Sequence, residues 1–247
     1  MRDIALIITT SIGNNLRMKI VIAVAIIVVV LICAIGLLVA FCILAIAPAM
    51  KAEILDRHSL ETFLCVAVYS SCLVGLGVNM NVFAFQTMTR EKSRGNIACL
   101  LATPLKVSHI WIGKSLAVFL PGLILGEVLG LISLFAVNYI YFVPKVGFLI
   151  NPWIVISSFI GVPLIYLSLS LLVHIIGLTG KPATANVIVQ VFLPVFASLM
   201  TNLGVRNVLD AASWPFTTAN LGLSIIIGII AILLRPSFTR ERIILSI

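Results

Sequence analysis

Long apolar runs alternate with short polar stretches along this chain, at the spacing of membrane-crossing helices. Six runs, at 20–47, 62–87, 110–142, 153–176, 186–201 and 217–234, each approach the roughly 20 residues that cross a bilayer as an α-helix. The third is long enough to include an interfacial turn or a tilt. The fifth is short, and Pro194 with the half-apolar stretch 202–215 allows a re-entrant or broken helix before the last run. The run at 20–47 is far longer than the about 7–15 residues of a signal-peptide core, so it reads as a retained span. Ahead of it, Ile4, Ile8, Ile12 and Leu16 form an i, i+4 row with Ile7 beside it, while Asp3, Thr10, Asn14 and Arg17 fall elsewhere. This pattern predicts an amphipathic helix over 1–19 lying in the membrane interface. The expected fold is an all-α polytopic membrane protein, with six transmembrane helices in a single domain over residues 1–247.

Composition agrees with the pattern. The 247 residues are 62% hydrophobic and 10% charged, against about 25% charged in soluble domains, so a water-solvated surface cannot be built from them. The net charge of +8 would suggest nucleic acid in a soluble protein, but the cations are unevenly placed. With the N-terminus inside, Arg2, Arg17, Lys19, Arg90, Lys92, Arg94, Lys106, Lys114, Lys181, Arg235, Arg240 and Arg242 are cytoplasmic. Lys51, Arg57, Lys145 and Arg206 are then outside, a ratio of twelve to four. Short loops with that asymmetry follow the positive-inside rule. A multi-pass protein of the cell membrane is therefore expected, with both termini cytoplasmic, the lipid bilayer as its surroundings and no nucleic-acid partner. The five cysteines lack CxxC or metal-ligand spacing and read as small apolar fillers.

The stretch Ser108 to Ser115 is the nearest thing to a phosphate-binding loop, but Ser108 stands where a glycine is needed and Trp111 fills the loop. Ser108 is better read as the N-cap of the third span, with Lys114 snorkelling to the interface. HExxH, GxSxG and acidic clusters suited to Mg²⁺ are absent from the sequence. No catalytic residue, metal ligand or cofactor site is therefore expected in the chain. His174 reads as a hydrogen-bonded packing residue. Glu127 is the one carboxylate well inside a span, within Gly122-x₃-Gly126-x₃-Gly130, and Pro121 adds a kink nearby. The glycines share a helix face suited to close packing. Glu127 is then either a carboxylate of a translocation path or a hydrogen-bonded packing residue beside that face. Asn79, Asn81 and Gln86 in the second run, and Asn186 and Gln190 in the fifth, either line such a path or bond between helices. Trp111, Tyr139, Tyr141, Trp153 and Trp214 fall near predicted span ends, as interfacial anchors do.

Between the second and third runs lies a basic segment, 88–109, with its own helical pattern. Gly95 interrupts the preceding helix, Asn96 is suited to cap a new one, and Ile97, Leu100 and Leu101 form a short apolar ridge before Pro104 stops it. On these residues alone it is either a turn tethered to the headgroups or a helix that docks a partner. Its sequence, EKSRGNIACLLATP from Glu91 to Pro104, resembles the cytoplasmic signature of ABC type-2 permeases, approximately E-[KR]-E-x-G-T-L-E-x-L-L-x-[ST]-P. Glu91, Lys92, Gly95, Leu100, Leu101, Thr103 and Pro104 match it. Ser93 and Ala98 replace its later acids, Asn96 its Thr and Ile97 its Leu.

The resemblance implies the transmembrane subunit of an ABC exporter, in which 95–103 is a coupling helix seated in a separate ATPase. Glu91, Lys92, Arg94, Gly95, Asn96, Ile97, Leu100, Leu101, Thr103 and Pro104 would form the coupling site. The partners implied are two copies of the ATPase subunit, which would carry ATP and Mg²⁺, and a second permease copy or close homologue. The alternative from the residues alone is a stand-alone secondary transporter or channel using Glu127.

Overall fold

The computed structural model describes residues 2–16, 57–80, 88, 91–92, 94–144, 146–180, 210–237 and 239–245, with scattered positions between 184 and 199. Among the described residues the elements are all helical. They are α1 (Arg2–Leu16), α2 (Arg57–Asn79), α3 (Asn96–Ala102), α4 (Val107–Val137), α5 (Pro152–Ile156), α6 (Val162–Thr179), α7 (Trp214–Leu234) and α8 (Arg240–Ile244). A wider π-helical turn, Asn138–Phe142, extends α4, and a second, Ser157–Gly161, joins α5 to α6.

Among the described residues four stretches are long and apolar enough to cross a membrane: Leu60–Gly77, Val107–Ile140, Pro152–Thr179 and Trp214–Leu234. That is four of the six expected. The run at 20–47 lies outside the described residues, and only scattered positions of 186–201 are described. The third run is one long helix that ends in its π turn, in keeping with its length, and it carries Pro121 in its interior.

The joint between α5 and α6 has a local cause. Pro163 has no N–H to bond the carbonyl four residues back, so the backbone widens just before it, and Val162 N–H bonds Ser157 O instead. The span stays continuous, and the bulge turns Ser157 and Ser158 into the interior.

The main core lies between α2, α4, α6 and α7, where Leu64, Val68, Leu73 and Leu76 meet Val118, Leu134, Ile165, Leu169, Phe216 and Ile227. Glycines set the closeness of α2 to α4. A β-carbon on Gly122 would fall against Asn79, one on Gly126 against Leu76, and one on Gly130 against the Cys72 sulfur and the Phe159 ring. Gly122, Gly126 and Gly130 thus face the interior. The opposite side of α4 exposes Ile124, Val128, Leu131 and Phe135, and α7 exposes Ile225, Ile226, Ile229 and Leu233. Apolar faces of that extent are unsuited to water and suited to lipid.

The first helix differs from its expected register. Among its described side chains Ile7 and Ser11 are the buried ones, and Ile4, Ile8 and Ile12 only flank them. Its centre is Ile7 because α1 packs on α4 at Gly113, where a β-carbon would come within 2.8 Å of the Ile7 side chain. α1, α3 and α8 gather at one end of the bundle around a second apolar cluster of Ile7, Ile97, Leu101, Ile110, Trp111, Ile175, Leu178 and Ile243.

Candidate functional site

The segment that resembles a coupling site is built into this second cluster. Met88, Glu91 and Lys92 are helical, and a turn at Arg94–Gly95 then reverses the chain, closed by Gly95 N–H to Lys92 O at 3.1 Å. Gly95 has φ +71°, a left-handed conformation that disfavours any side chain. Gly95 itself, rather than Asn96, is the N-cap of α3, and Asn96 is the first helical residue. The helix ends at Thr103, whose backbone is extended and whose Oγ1 donates to Leu100 O at 2.5 Å. Pro104 dictates that ending, since the residue before a proline is pushed out of the helical region.

Lys106, also extended, is the N-cap of α4. Ser108, expected to be that cap, already lies inside the helix. The α-conformation resumes sooner than expected because only Pro104 opposes it.

The apolar ridge of α3 faces inward. Ile97 is 2% exposed and Leu101 5%, with Leu100 half-buried at their edge. Arg94, Asn96, Ala98, Cys99, Ala102, Pro104 and Lys106 are exposed. The short helix therefore presents small and polar residues outward, while its large apolar residues hold it to its own chain.

Beneath it the charged residues are paired. Glu91 Oε1 accepts from Lys114 Nζ at 2.5 Å. The Lys92 ammonium is buried and donates to Gly180 O at 2.7 Å, and that burial lowers its pKa from the ordinary lysine value. Trp111, expected at the interface, is buried instead, with its indole N–H on Leu171 O at 2.9 Å. Trp111 departs because α1 and α3 pack with it in one apolar cluster and cover what periodicity places at a rim. Tyr139, Trp153 and Trp214 are exposed, as anchors would be. Behind the Glu91–Lys114 pair lies a small cavity lined also by Ser11, Met88 and His174. The His174 ring is buried, with Nδ1 2.8 Å from Ser170 O.

The residues proposed for a path are dispersed. Glu127 is half-buried beside Gly126, and among the described residues no cation pairs with it. Asn79 is buried and bonds between helices, its amide donating to Val118 O at 2.7 Å, while its Oδ1 has no partner among the described residues. Gln190 is exposed, and Asn81 and Gln86 lie outside the described residues.

Several polar contacts have no counterpart in the sequence pattern. Tyr69 OH donates to Asn220 Oδ1 at 2.5 Å, and Tyr166 OH to Leu73 O at 2.8 Å, both inside the main core. At the far end, Asp210 accepts from Thr62 Oγ1 at 3.0 Å and lies 2.9 Å from His58, while Asn151 donates to Glu61 at 2.9 Å. At the α3 end, Arg240 donates to the carbonyls of Thr103 and Leu105. A lone polar residue in an apolar run, such as Asn220, signals the need for a partner. Its partner is not readable without the fold.

No protein-family model, curated protein or solved structure matches the chain.

Proposed function

We propose that this chain is the membrane subunit of an ATP-driven exporter and that α3 is its coupling helix. Two permease copies would work with two copies of a separate ATPase subunit, which supplies ATP and Mg²⁺. The finer layout belongs to the same reading: six spans, two of them at 20–47 and 186–201, an interfacial α1, and both termini with α3 in the cytoplasm. What carries it is α3 itself. A short helix between two spans, bounded by Gly95 and Pro104 and seated by Ile97 and Leu101, keeps an outward side free of large apolar residues. Its sequence resembles that of ABC type-2 permeases, and the convergence of α1, α3 and α8 at one end suits the uneven distribution of cations.

Burial of the ridge moves the docking surface. Leu101 serves the fold, and the residues offered to an ATPase are Asn96, Ala98, Cys99 and Ala102. Ala98→Glu and Cys99→Arg are expected to leave the chain in the membrane at wild-type amount and to abolish recovery of ATP hydrolysis with it. Leu101→Asp instead lowers the amount of folded chain. Flux through liposomes holding the chain alone, lost in Glu127→Gln, would replace this reading with that of a stand-alone transporter.

A further inference from the structure

α8 reaches the exit of α3 from the far end of the sequence. Arg240 Nη2 donates to Leu105 O at 2.7 Å and to Thr103 O at 3.3 Å. These carbonyls lie where the chain cannot satisfy itself: Thr103 is extended, Pro104 has no N–H, and α4 begins only at Val107. A guanidinium suits the place, because it keeps its charge and its donors are rigidly held. Thr103 O also stands at the negative end of α3. One turn along, Ile243 is 1% exposed and sits in the same apolar cluster as Ile97 and Leu101. α8 follows α7 after only the turn Arg235–Ser237 and residues 238–239. The last span is thus tied to the exit of α3 by the Arg240 hydrogen bonds, and α8 shares an apolar cluster with α3 through Ile243, apart from the covalent route through Pro104 into α4.

We propose that α8 is a second transmission arm, with Arg240 as the residue that positions α3 against the last span. The proposal rests on the reading of α3 as a coupling helix. Displacement of α3 by an ATPase would pass to α4 through Pro104 and to α7 through Arg240 and Ile243. The last span then moves with α2 and α4, the two spans that chain connectivity already joins to α3.

Hydrogen exchange on the full chain in lipid nanodiscs tests the arm in two steps. In Arg240→Ala, amide exchange over 96–105 is expected to rise by about tenfold, as loss of a charge-assisted hydrogen bond implies. Arg240→Lys, which keeps the charge without the rigid fork, restores slow exchange only in part, and Arg242→Ala, a change at an exposed neighbour, leaves it alone. With the ATPase bound, ATP and vanadate are expected to alter exchange over both 103–107 and 235–239 in the wild type. In Arg240→Ala the change at 103–107 persists and that at 235–239 is lost. Unchanged exchange over 96–105 in Arg240→Ala overturns the clamp, and a response at 235–239 that survives in that variant overturns the arm. Faster exchange in a chain that binds no ATPase leaves the clamp in place and overturns the reading beneath it.

Discussion

Gly75 and Gly126 meet backbone to backbone where α2 crosses α4: a methyl on Gly75 would lie 2.8 Å from Gly126 Cα and 3.0 Å from its amide nitrogen. Neither atom belongs to a side chain that could swing aside, so a β-carbon there must push the helices apart. In lipid, close packing of this kind is a main source of helix association. Gly75→Ala is expected to cost about 1–3 kcal/mol. Gly222 on α7 is the control, since no described residue lies within 4 Å of a β-carbon built on it. Gly222→Ala should be neutral or stabilise by about 0.5–1 kcal/mol. Denaturation by SDS in mixed micelles compares the two, and equal stabilities would contradict a glycine-mediated crossing.

Glu91 and Lys114 form the ion pair beneath α3, with side chains 23% and 15% exposed. Removing one partner leaves the other charge half-buried beside His174 and Ser11. Lys114→Met is expected to cost about 1–3 kcal/mol, and Glu91→Gln with Lys114→Met should recover much of that loss. The same denaturation completes the double-mutant cycle. Strictly additive losses would show that the two do not act as a pair.

Lys92 makes stability depend on alkaline pH. Its folded pKa is lowered by burial, whereas in the unfolded chain it holds its proton to about pH 10.4. Between those two values the unfolded chain binds the extra proton, so the contribution of Lys92 to stability rises with pH across that window. Below the window the full cost of burying the ammonium is present. Wild type measured against Lys92→Met from about pH 8 to about pH 11 should therefore gain relative stability as pH rises. A gap that stays flat, or moves the other way, contradicts a buried ammonium.

The limits of α3 are legible in the sequence because Gly95 and Pro104 act through their own backbones. Details inside those limits are less so. Asn96 gives way to Gly95 as N-cap because the left-handed turn and the start of the helix share one residue. Trp111 sits where periodicity expects a span end, but α1 and α3 pack with it in one apolar cluster and bury it. The Gly122, Gly126 and Gly130 face is readable from spacing, while its partners Asn79, Leu76 and Cys72 are not. Contacts such as Tyr69 with Asn220, or Arg240 with Thr103, join residues more than a hundred positions apart. Local pattern holds no information on such pairs.

Whether α3 docks an ATPase is read most directly by photocross-linking from its two sides in native membranes. Ala98 faces out and Ile97, one residue earlier, faces the cluster at 2% exposure. A photoreactive residue at position 98 is expected to form an adduct with a separate polypeptide that binds ATP, and one at position 97 to react only within the chain. No adduct from position 98 to any ATP-binding polypeptide would contradict the assignment of α3 as a coupling helix.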